Sequence, residues 1–141
     1  MNPRRFATTF LILAAAGLAD AVYLTVSYYS GTSPVCSFLA GCDVVTTSAY
    51  AAIGPVPIAL VGAVYYLLLL ILGARYFDTQ NNRLLLATTL ITGAGALFSG
   101  WLFYLQAAVI EALCFYCLVS AAITILLFML SLIHYERYPS Q

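Results

Sequence analysis

The sequence predicts an all-α integral membrane protein, a bundle of four transmembrane helices, from its composition and its long apolar runs. Hydrophobic residues make up 64% of the 141 residues and charged residues only 7%, whereas soluble domains carry about 25% charged residues. A soluble fold of this size could not cover its surface with so few charges. The formal net charge of zero also argues against nucleic acid as a partner.

Four apolar runs are long enough to cross the hydrocarbon core of a lipid bilayer, which takes about 20 helical residues. They cover about 6–29, 56–76, 84–106 and 112–133. None of them shows the strict alternation that is typical of a transmembrane β-strand. The whole chain, 1–141, is predicted to form a single membrane domain.

All the basic residues fall on one side of the predicted membrane. With four spans, the N-terminus, the middle loop and the C-terminus share that side. The chain has no lysine, and its five arginines are Arg4, Arg5, Arg75, Arg83 and Arg137. By the positive-inside rule this side is cytoplasmic, together with both termini. All four cysteines then lie at the opposite, oxidising face.

The first span carries an ionisable residue, Asp20, well inside the membrane. The span could be mistaken for a signal peptide, because Ala19 and Ala21 around it mimic a cleavage site, but the apolar character continues through Val26. Asp20 lies about 20 Å from the cytoplasmic end at about 1.5 Å per residue. At that depth an ionisable side chain is energetically unfavourable, so its presence makes the residue a candidate for a functional role. It is either satisfied by a neighbouring helix or the outer water, or it relays protons to a redox site.

The four cysteines form two pairs that the topology brings to one face. Cys114 and Cys117 make a Cys-x-x-Cys pair at the entrance of the last span, where the helix dipole and free backbone N–H groups lower a thiol pKa. Cys36 and Cys42 lie in the loop after the first span, at a spacing that permits either a disulfide or exchange with two different partners. The pattern indicates electron transfer between a protein partner and a lipid-soluble acceptor.

The loop that contains the first cysteine pair mixes apolar and polar residues too freely for a solvated linker. Residues 43–50 could form a short helix at the interface, ended by Gly54, Pro55 and Pro57. We expect this loop to fold back over the bundle as a lid. The alternative is an ordinary outer loop with one structural disulfide.

Other interpretations of the cysteines remain open. They could form two structural disulfides in a non-enzymatic membrane protein, bind zinc as a Cys₄ site, or be small residues of the membrane core. The lack of a polar scaffold argues against zinc, and the pairwise placement argues against the core. A DsbB-like quinone reductase of different fold also has four spans and two cysteine pairs, but it carries its Cys-x-x-Cys in the first outer loop.

The sequence resembles the vitamin K epoxide reductase family over essentially the whole chain. The matching features are Cys36-x₅-Cys42, Asp43-Val44-Val45, Ser48, Gly54-x-x-Pro57-x-Ala59-Leu60, Cys114-x-x-Cys117 and, in the first span, Gly17-Leu18-Ala19-Asp20 with Tyr23-Leu24-Thr25. The cysteine quartet together with Ser48 is specific, and the other features support it. The resemblance implies a four-helix bundle around a quinone, ubiquinone or menaquinone, capped by the outer loop or its short helix.

The resemblance also implies a role for each cysteine. Cys117 is the cysteine nearest the quinone ring, and Cys114 is its exchange partner. Cys36 shuttles between the two pairs, and Cys42 forms the mixed disulfide with the redox partner. Ser48 lies on the lid beside the pocket.

Bacterial members of the family oxidise a periplasmic thioredoxin-like or DsbA-like protein and reduce quinone, which supports disulfide bond formation. No fused thioredoxin-like domain follows the last span, so the partner is expected to be a separate protein. Ala121 stands where vertebrate members have a tyrosine near the quinone, which weakens the alternative activity, reduction of vitamin K epoxide. The absence of lysine and of a retrieval signal favours a bacterial inner membrane. Asp20 is a further candidate for contact with the quinone.

Overall fold

The computed structural model describes residues 2–32, 34 and 41–138. Along the chain come α1 (Pro3–Ser30), α2 (Cys42–Thr47), β1 (Ala52–Ile53), β2 (Val56–Pro57), α3 (Ile58–Thr79), α4 (Asn82–Tyr104), a π-helical segment (Leu105–Ile110) and α5 (Phe115–Arg137). The four long helices are all long and apolar enough to cross a membrane. They begin and end within a few residues of the predicted spans, and the predicted four-helix membrane bundle is confirmed.

The long helices enclose one interior. Helix α1 packs against α3 and α5, while α4 packs against α5 and, less extensively, against α3. Many outward-facing side chains are large and apolar, among them Ile12 at 65% exposure, Leu90 at 64% and Leu97 at 80%. Exposing such a surface to water would be unfavourable. Exposing it to lipid chains is not, because these are as apolar as the side chains. This surface is that of an integral membrane protein.

Local sequence explains where two of the helices begin. The side-chain oxygen of Asn2 accepts a hydrogen bond from the Arg4 backbone N–H at 3.2 Å, and that of Asn81 accepts one from the Arg83 N–H at 2.9 Å. Each asparagine therefore satisfies one of the unpaired N–H groups at a helix start. Between α3 and α4, Gln80 takes the left-handed conformation with φ 49°, which lets the chain reverse direction in a tight turn.

The arginine end of the bundle, where all five arginines lie, is closed by a buried aromatic cluster. His134 is 1% exposed and stacks on Phe6 with ring centroids 4.1 Å apart. Its Nε2 lies 3.0 Å from the Tyr76 hydroxyl. His134 of α5 therefore belongs to the packing that joins α1, α3 and α5, at the end of the bundle opposite the cysteines.

Tyr66 ties three helices together in the middle of the bundle. Its hydroxyl lies 2.8 Å from Ser120 Oγ and 2.9 Å from Thr124 Oγ1, and it donates to the Ser120 carbonyl at 2.9 Å. These bonds connect α3 to α5. The Tyr66 ring packs over Gly17 of α1 so closely that a Cβ on Gly17 would overlap the ring. A glycine is therefore required at position 17 for this packing.

We expect Gly17→Ala to destabilise the protein by about 1–3 kcal/mol, the usual cost of overpacking a filled interior. The Tyr66 ring cannot swing aside without losing the hydrogen bonds of its hydroxyl. Thermal unfolding in detergent measures the change as a lower Tm. Gly62→Ala is the matched control, because its nearest neighbour would be Ala21 Cβ at an ordinary 3.8 Å. Equal Tm values for the two variants would contradict the packing argument.

Residues 41–57 form a cap at the other end of the bundle, the cysteine end (Cys42, Cys114 and Cys117). The helix predicted within 43–50 is present as α2, and residues 52–57 add an antiparallel hairpin that was not predicted. The hairpin turns at Gly54, whose φ of 62° is a left-handed conformation that glycine adopts without strain. Pro57, predicted in the first turn of the second span, ends β2 and immediately precedes α3.

The segment after α4 differs from the prediction. The predicted spans 84–106 and 112–133 leave residues 107–111 as a short outer loop, but Leu105–Ile110 continue α4 as a π-helix. The segment ends at Glu111, which has φ 57° and donates its N–H to the Gln106 carbonyl. The loop between α4 and α5 is therefore reduced to residues 111–114. Short π-helical insertions of this kind are frequent at functional sites.

Candidate active site

A cavity of about 430 Å³ lies inside the bundle beneath the cap. Its wall is mostly apolar and comes from all four long helices, the π-helical segment, α2 and the hairpin. The polar residues on the wall include Asp20, Thr46, Ser48, Tyr65, Tyr66, Ser99, Gln106, Ser120 and Thr124. This size, and an apolar wall with a few polar groups, are typical of sites for small organic ligands.

Cys114 and Cys117 lie where α5 begins, beside this cavity. Cys114 is the residue that precedes the helix, and it is fully buried. Cys117 lies in the first turn and lines the cavity. Both cysteines are free thiols. The predicted Cys-x-x-Cys pair at the entrance of the last span is therefore present, with one thiol on the cavity wall and the other behind it.

The surroundings of Cys114 stabilise its thiolate. Its pKa is lowered from 9.0 to about 7, chiefly because the Cys117 thiol hydrogen-bonds to it. Burial opposes this effect, and the backbone N–H groups of Cys117 and Tyr116 add to it. Free N–H groups at a helix start are the usual means of making a cysteine acidic. A thiol with this pKa is partly ionised near neutral pH.

We expect the ultraviolet absorbance of the Cys114 thiolate to rise with pH through a midpoint of about 7 in the reduced protein. Cys117→Ala removes the hydrogen bond that stabilises the thiolate, so the midpoint should move up toward 9. Cys114→Ala is the control and should lose this transition altogether. A wild-type midpoint near 9 would contradict the assignment.

The cap helix α2 brings Cys42 against the helical pair. Cys42 is 1% exposed and packs in one apolar cluster with Val45 and Cys114. In contrast to Cys114 and Cys117, it is in a disulfide bond. Cys36, the fourth predicted site residue, lies outside the described residues. Its predicted role as a shuttle therefore remains a prediction.

Gly41 fixes the distance between the cap helix and the loop before Cys114. A Cβ at Gly41 would lie 2.5 Å from the Leu113 carbonyl oxygen and 2.8 Å from the Leu113 nitrogen. Real Cβ atoms essentially never come so close to another atom, and here both neighbours are backbone atoms. The backbone of Gly41 therefore lies directly against that of Leu113, and each is the residue immediately before a site cysteine.

The other two predicted site residues, Ser48 and Asp20, both line the cavity. Ser48 ends α2, and its hydroxyl donates to the Val45 carbonyl at 2.8 Å. Asp20 lies in α1 with its Oδ2 buried, and no described residue hydrogen-bonds to that oxygen. A buried polar atom without a partner requires an explanation, and a ligand in the cavity would supply one.

The sequence analysis missed Gln106, which is 5% exposed and lines the same cavity. Its side-chain oxygen accepts the Cys114 N–H at 3.0 Å. The sequence feature that could have identified Gln106 is its position, since it is an amide residue at the end of an apolar span, eight residues before Cys114. The aromatic residues Trp101 and Tyr104 are more than half exposed, whereas Phe103 between them also lines the cavity.

Residues 8–132 match the family profile described as "Vitamin K epoxide reductase family". The matched stretch reaches from α1 into α5 and includes all the cysteines and the residues of the cavity wall described above. No curated protein matches the sequence.

Proposed function

The chain belongs to the vitamin K epoxide reductase family, and from this premise we propose that it is a membrane thiol:quinone oxidoreductase that supports disulfide bond formation. Members of this family are oxidoreductases that use quinones or vitamin K as electron carriers. In the proposed reaction the protein reoxidises a separate thioredoxin-like or DsbA-like partner and passes the electrons to ubiquinone or menaquinone. The observation that carries the proposal is the free thiol of Cys117 on the wall of an apolar cavity.

The residues of the cavity fit a quinone. The wall offers apolar contact to a ring and isoprenoid tail, and Asp20, Ser48 and Gln106 offer polar groups to the two carbonyl oxygens. Ala121, where vertebrate members carry a tyrosine, contributes only a methyl group to the wall. A bound quinone supplies the capacity to accept two electrons and two protons. Cys117 is the redox-active group placed to deliver those electrons.

The cysteines carry the electrons in two exchanges. A thiolate of the reduced partner attacks Cys42 in a Cys36–Cys42 disulfide, and the partner leaves as a disulfide after its second thiol attacks the mixed disulfide. The loop dithiol remains. Cys36 then attacks Cys114 of a Cys114–Cys117 disulfide, and Cys42 resolves the mixed disulfide, which restores the loop disulfide. The reduced helical pair gives two electrons to the acceptor and returns to the disulfide.

The described cysteines offer the two states that such an exchange needs, a disulfide at Cys42 and free thiols at Cys114 and Cys117. Thiol–disulfide exchange requires the loop pair and the helical pair to come into contact. Cys42 and Cys114 pack in one cluster, which supports such an exchange.

Asp20 is the proposed source of protons for the reduced acceptor. Its Oδ2 is buried without a hydrogen-bond partner among the described residues, and the residue lines the cavity. A carboxyl group in such a place can hold a proton and release it to an oxygen that gains negative charge. When the Cys114 thiolate and the Cys117 thiol form a disulfide they release one proton, so Asp20 supplies the second and regains a proton from water.

The proposed location is a bacterial inner membrane with the cysteine end at the periplasmic face. All five arginines lie at the opposite end of the bundle, which the positive-inside rule places in the cytoplasm. Disulfides form and persist in the oxidising periplasm. In this orientation a periplasmic partner can reach the cap, and the cavity can exchange quinone with the bilayer.

A coupled assay in detergent tests the function. We expect purified protein to oxidise a reduced thioredoxin-like donor while it reduces a short-tail ubiquinone or menaquinone, with one quinol formed for each donor disulfide. Cys36→Ala should lower donor oxidation by about a hundredfold or more, because the loop can no longer pass electrons to Cys114. The same variant should still reduce quinone with a small dithiol that attacks the helical disulfide directly. Full donor oxidation by Cys36→Ala would contradict the shuttle.

A further inference from the structure

Gln106 joins the cavity wall to the backbone of Cys114. It lies in the π-helical segment, where its carbonyl oxygen accepts the N–H groups of both Glu111 and Ala112, the latter at 3.0 Å. Its side-chain Oε1 accepts the N–H of Cys114 at 3.0 Å in a buried hydrogen bond. A single residue thus holds both ends of the loop 111–114 that leads into the redox pair.

These bonds determine which half of the Gln106 amide remains available. The Cys114 N–H is a donor, so the atom that it contacts must be the amide oxygen. The amide nitrogen is then left with two N–H donors, and no described residue accepts a hydrogen bond from them. The residue is 5% exposed and lines the cavity. An acceptor for these donors is therefore expected within the cavity.

A carbonyl oxygen is the group that such a donor pair recognises. Quinones carry two carbonyl oxygens and no N–H or O–H donor, and the apolar cavity wall fits the rest of the molecule. We propose that Gln106 donates a hydrogen bond from Nε2 to a carbonyl oxygen of the quinone while its Oε1 holds the backbone of Cys114. The inference rests on the proposed function and adds to it a residue that contacts the acceptor and positions the redox pair.

The arrangement makes Gln106 a determinant of acceptor specificity. Because Oε1 is committed to Cys114, the amide cannot flip to present its oxygen to the cavity. A quinone carbonyl needs only a donor at this position. A quinol hydroxyl can also accept from Nε2, but its own O–H finds no acceptor on Gln106, because Oε1 is bonded to Cys114. Gln106 therefore favours the oxidised quinone over the quinol product, which would help product to leave.

The test compares a quinone with its deoxygenated analogue, an aromatic hydrocarbon of the same ring and tail. Gln106→Leu should raise KM for the quinone about tenfold, the usual effect of one lost hydrogen bond. The inhibition constant of the hydrocarbon, measured as a competitive inhibitor, should stay unchanged. Gln106→Glu is the second variant: it keeps an acceptor for the Cys114 N–H but loses the amide donors. Gln106→Glu should raise the quinone KM, and its Tm should lie closer to the wild-type value than the Tm of Gln106→Leu does.

The outcomes separate this inference from the proposed function. An equal loss of affinity for quinone and hydrocarbon in Gln106→Leu would show a purely structural role and overturn the inference. An unchanged quinone KM in both variants would also overturn the inference. The proposed function would still hold in that case if the wild-type protein reduces quinone. A wild-type protein that reduces no quinone would overturn the proposed function and this inference with it.

Discussion

Replacing Cys117 by alanine is expected to abolish quinone reduction, with kcat lowered by about a thousandfold or more. Cys117 is the site thiol on the cavity wall, and Cys114 lies buried behind it. Two electrons can leave the pair only if both sulfurs join in a disulfide, so a single remaining thiol cannot complete the reaction. Steady-state quinone reduction with a small dithiol as donor measures the loss.

A second result, independent of turnover, is expected for Cys117→Ala. With Cys117 absent, the Cys114 thiolate can attack Cys36 of the Cys36–Cys42 disulfide and release Cys42 as a thiol. No second helical thiol is then present to resolve the Cys36–Cys114 mixed disulfide, which should be detected by mass spectrometry. Leu118→Val is the matched control, because Leu118 also lines the cavity and its replacement keeps both thiols. Comparable turnover of wild type and Cys117→Ala would contradict the role of this thiol.

Gly41→Ala should separate the two cysteine pairs without touching a cysteine. Because an added Cβ would lie 2.5 Å from the Leu113 oxygen, α2 must move away from the start of α5. A displacement of about 1 Å between reacting groups can lower a rate about a hundredfold. Oxidation of the thioredoxin-like donor should fall by about that factor, whereas quinone reduction driven by a small dithiol at the helical pair should persist.

Gly100→Ala is the control for this variant. It also adds one methyl group to a glycine near the cysteine end of the bundle, but nothing lies within 4 Å of the new atom. Donor oxidation should therefore remain at the wild-type rate. If Gly41→Ala oxidises the donor as fast as Gly100→Ala does, contact between Gly41 and Leu113 does not set the exchange distance.

The membrane bundle could be predicted because the spans depend on local sequence and hardly at all on contacts between distant residues. Runs of about 20 apolar residues determine spans wherever they occur, and the Cys-x-x-Cys spacing places two thiols on one helical turn. Asp20 could be identified because an ionisable residue inside a span stands out against apolar neighbours. Its position on the cavity wall agrees with that prediction, and the functional part of the prediction remains to be tested.

The parts that the sequence did not reveal depend on tertiary contact. The π-helical segment differs from a loop only through hydrogen bonds that close at Glu111, and apolar residues on either side give no sign of it. The bond from Cys114 to Gln106 and the contact of Gly41 with Leu113 join segments whose approach no periodicity specifies. A glycine in a loop is normally assigned to a turn, so its role in close backbone contact was not visible.

The most direct test of the central claim is a single turnover between the reduced protein and quinone without oxygen or donor. Purified protein with free Cys114 and Cys117 is mixed with a short-tail quinone, and quinol is measured by absorbance while the cysteines are mapped by mass spectrometry. We predict one quinol for each Cys114–Cys117 disulfide formed. Quinol without that disulfide, or thiols that stay reduced in excess quinone, would contradict electron transfer from this pair.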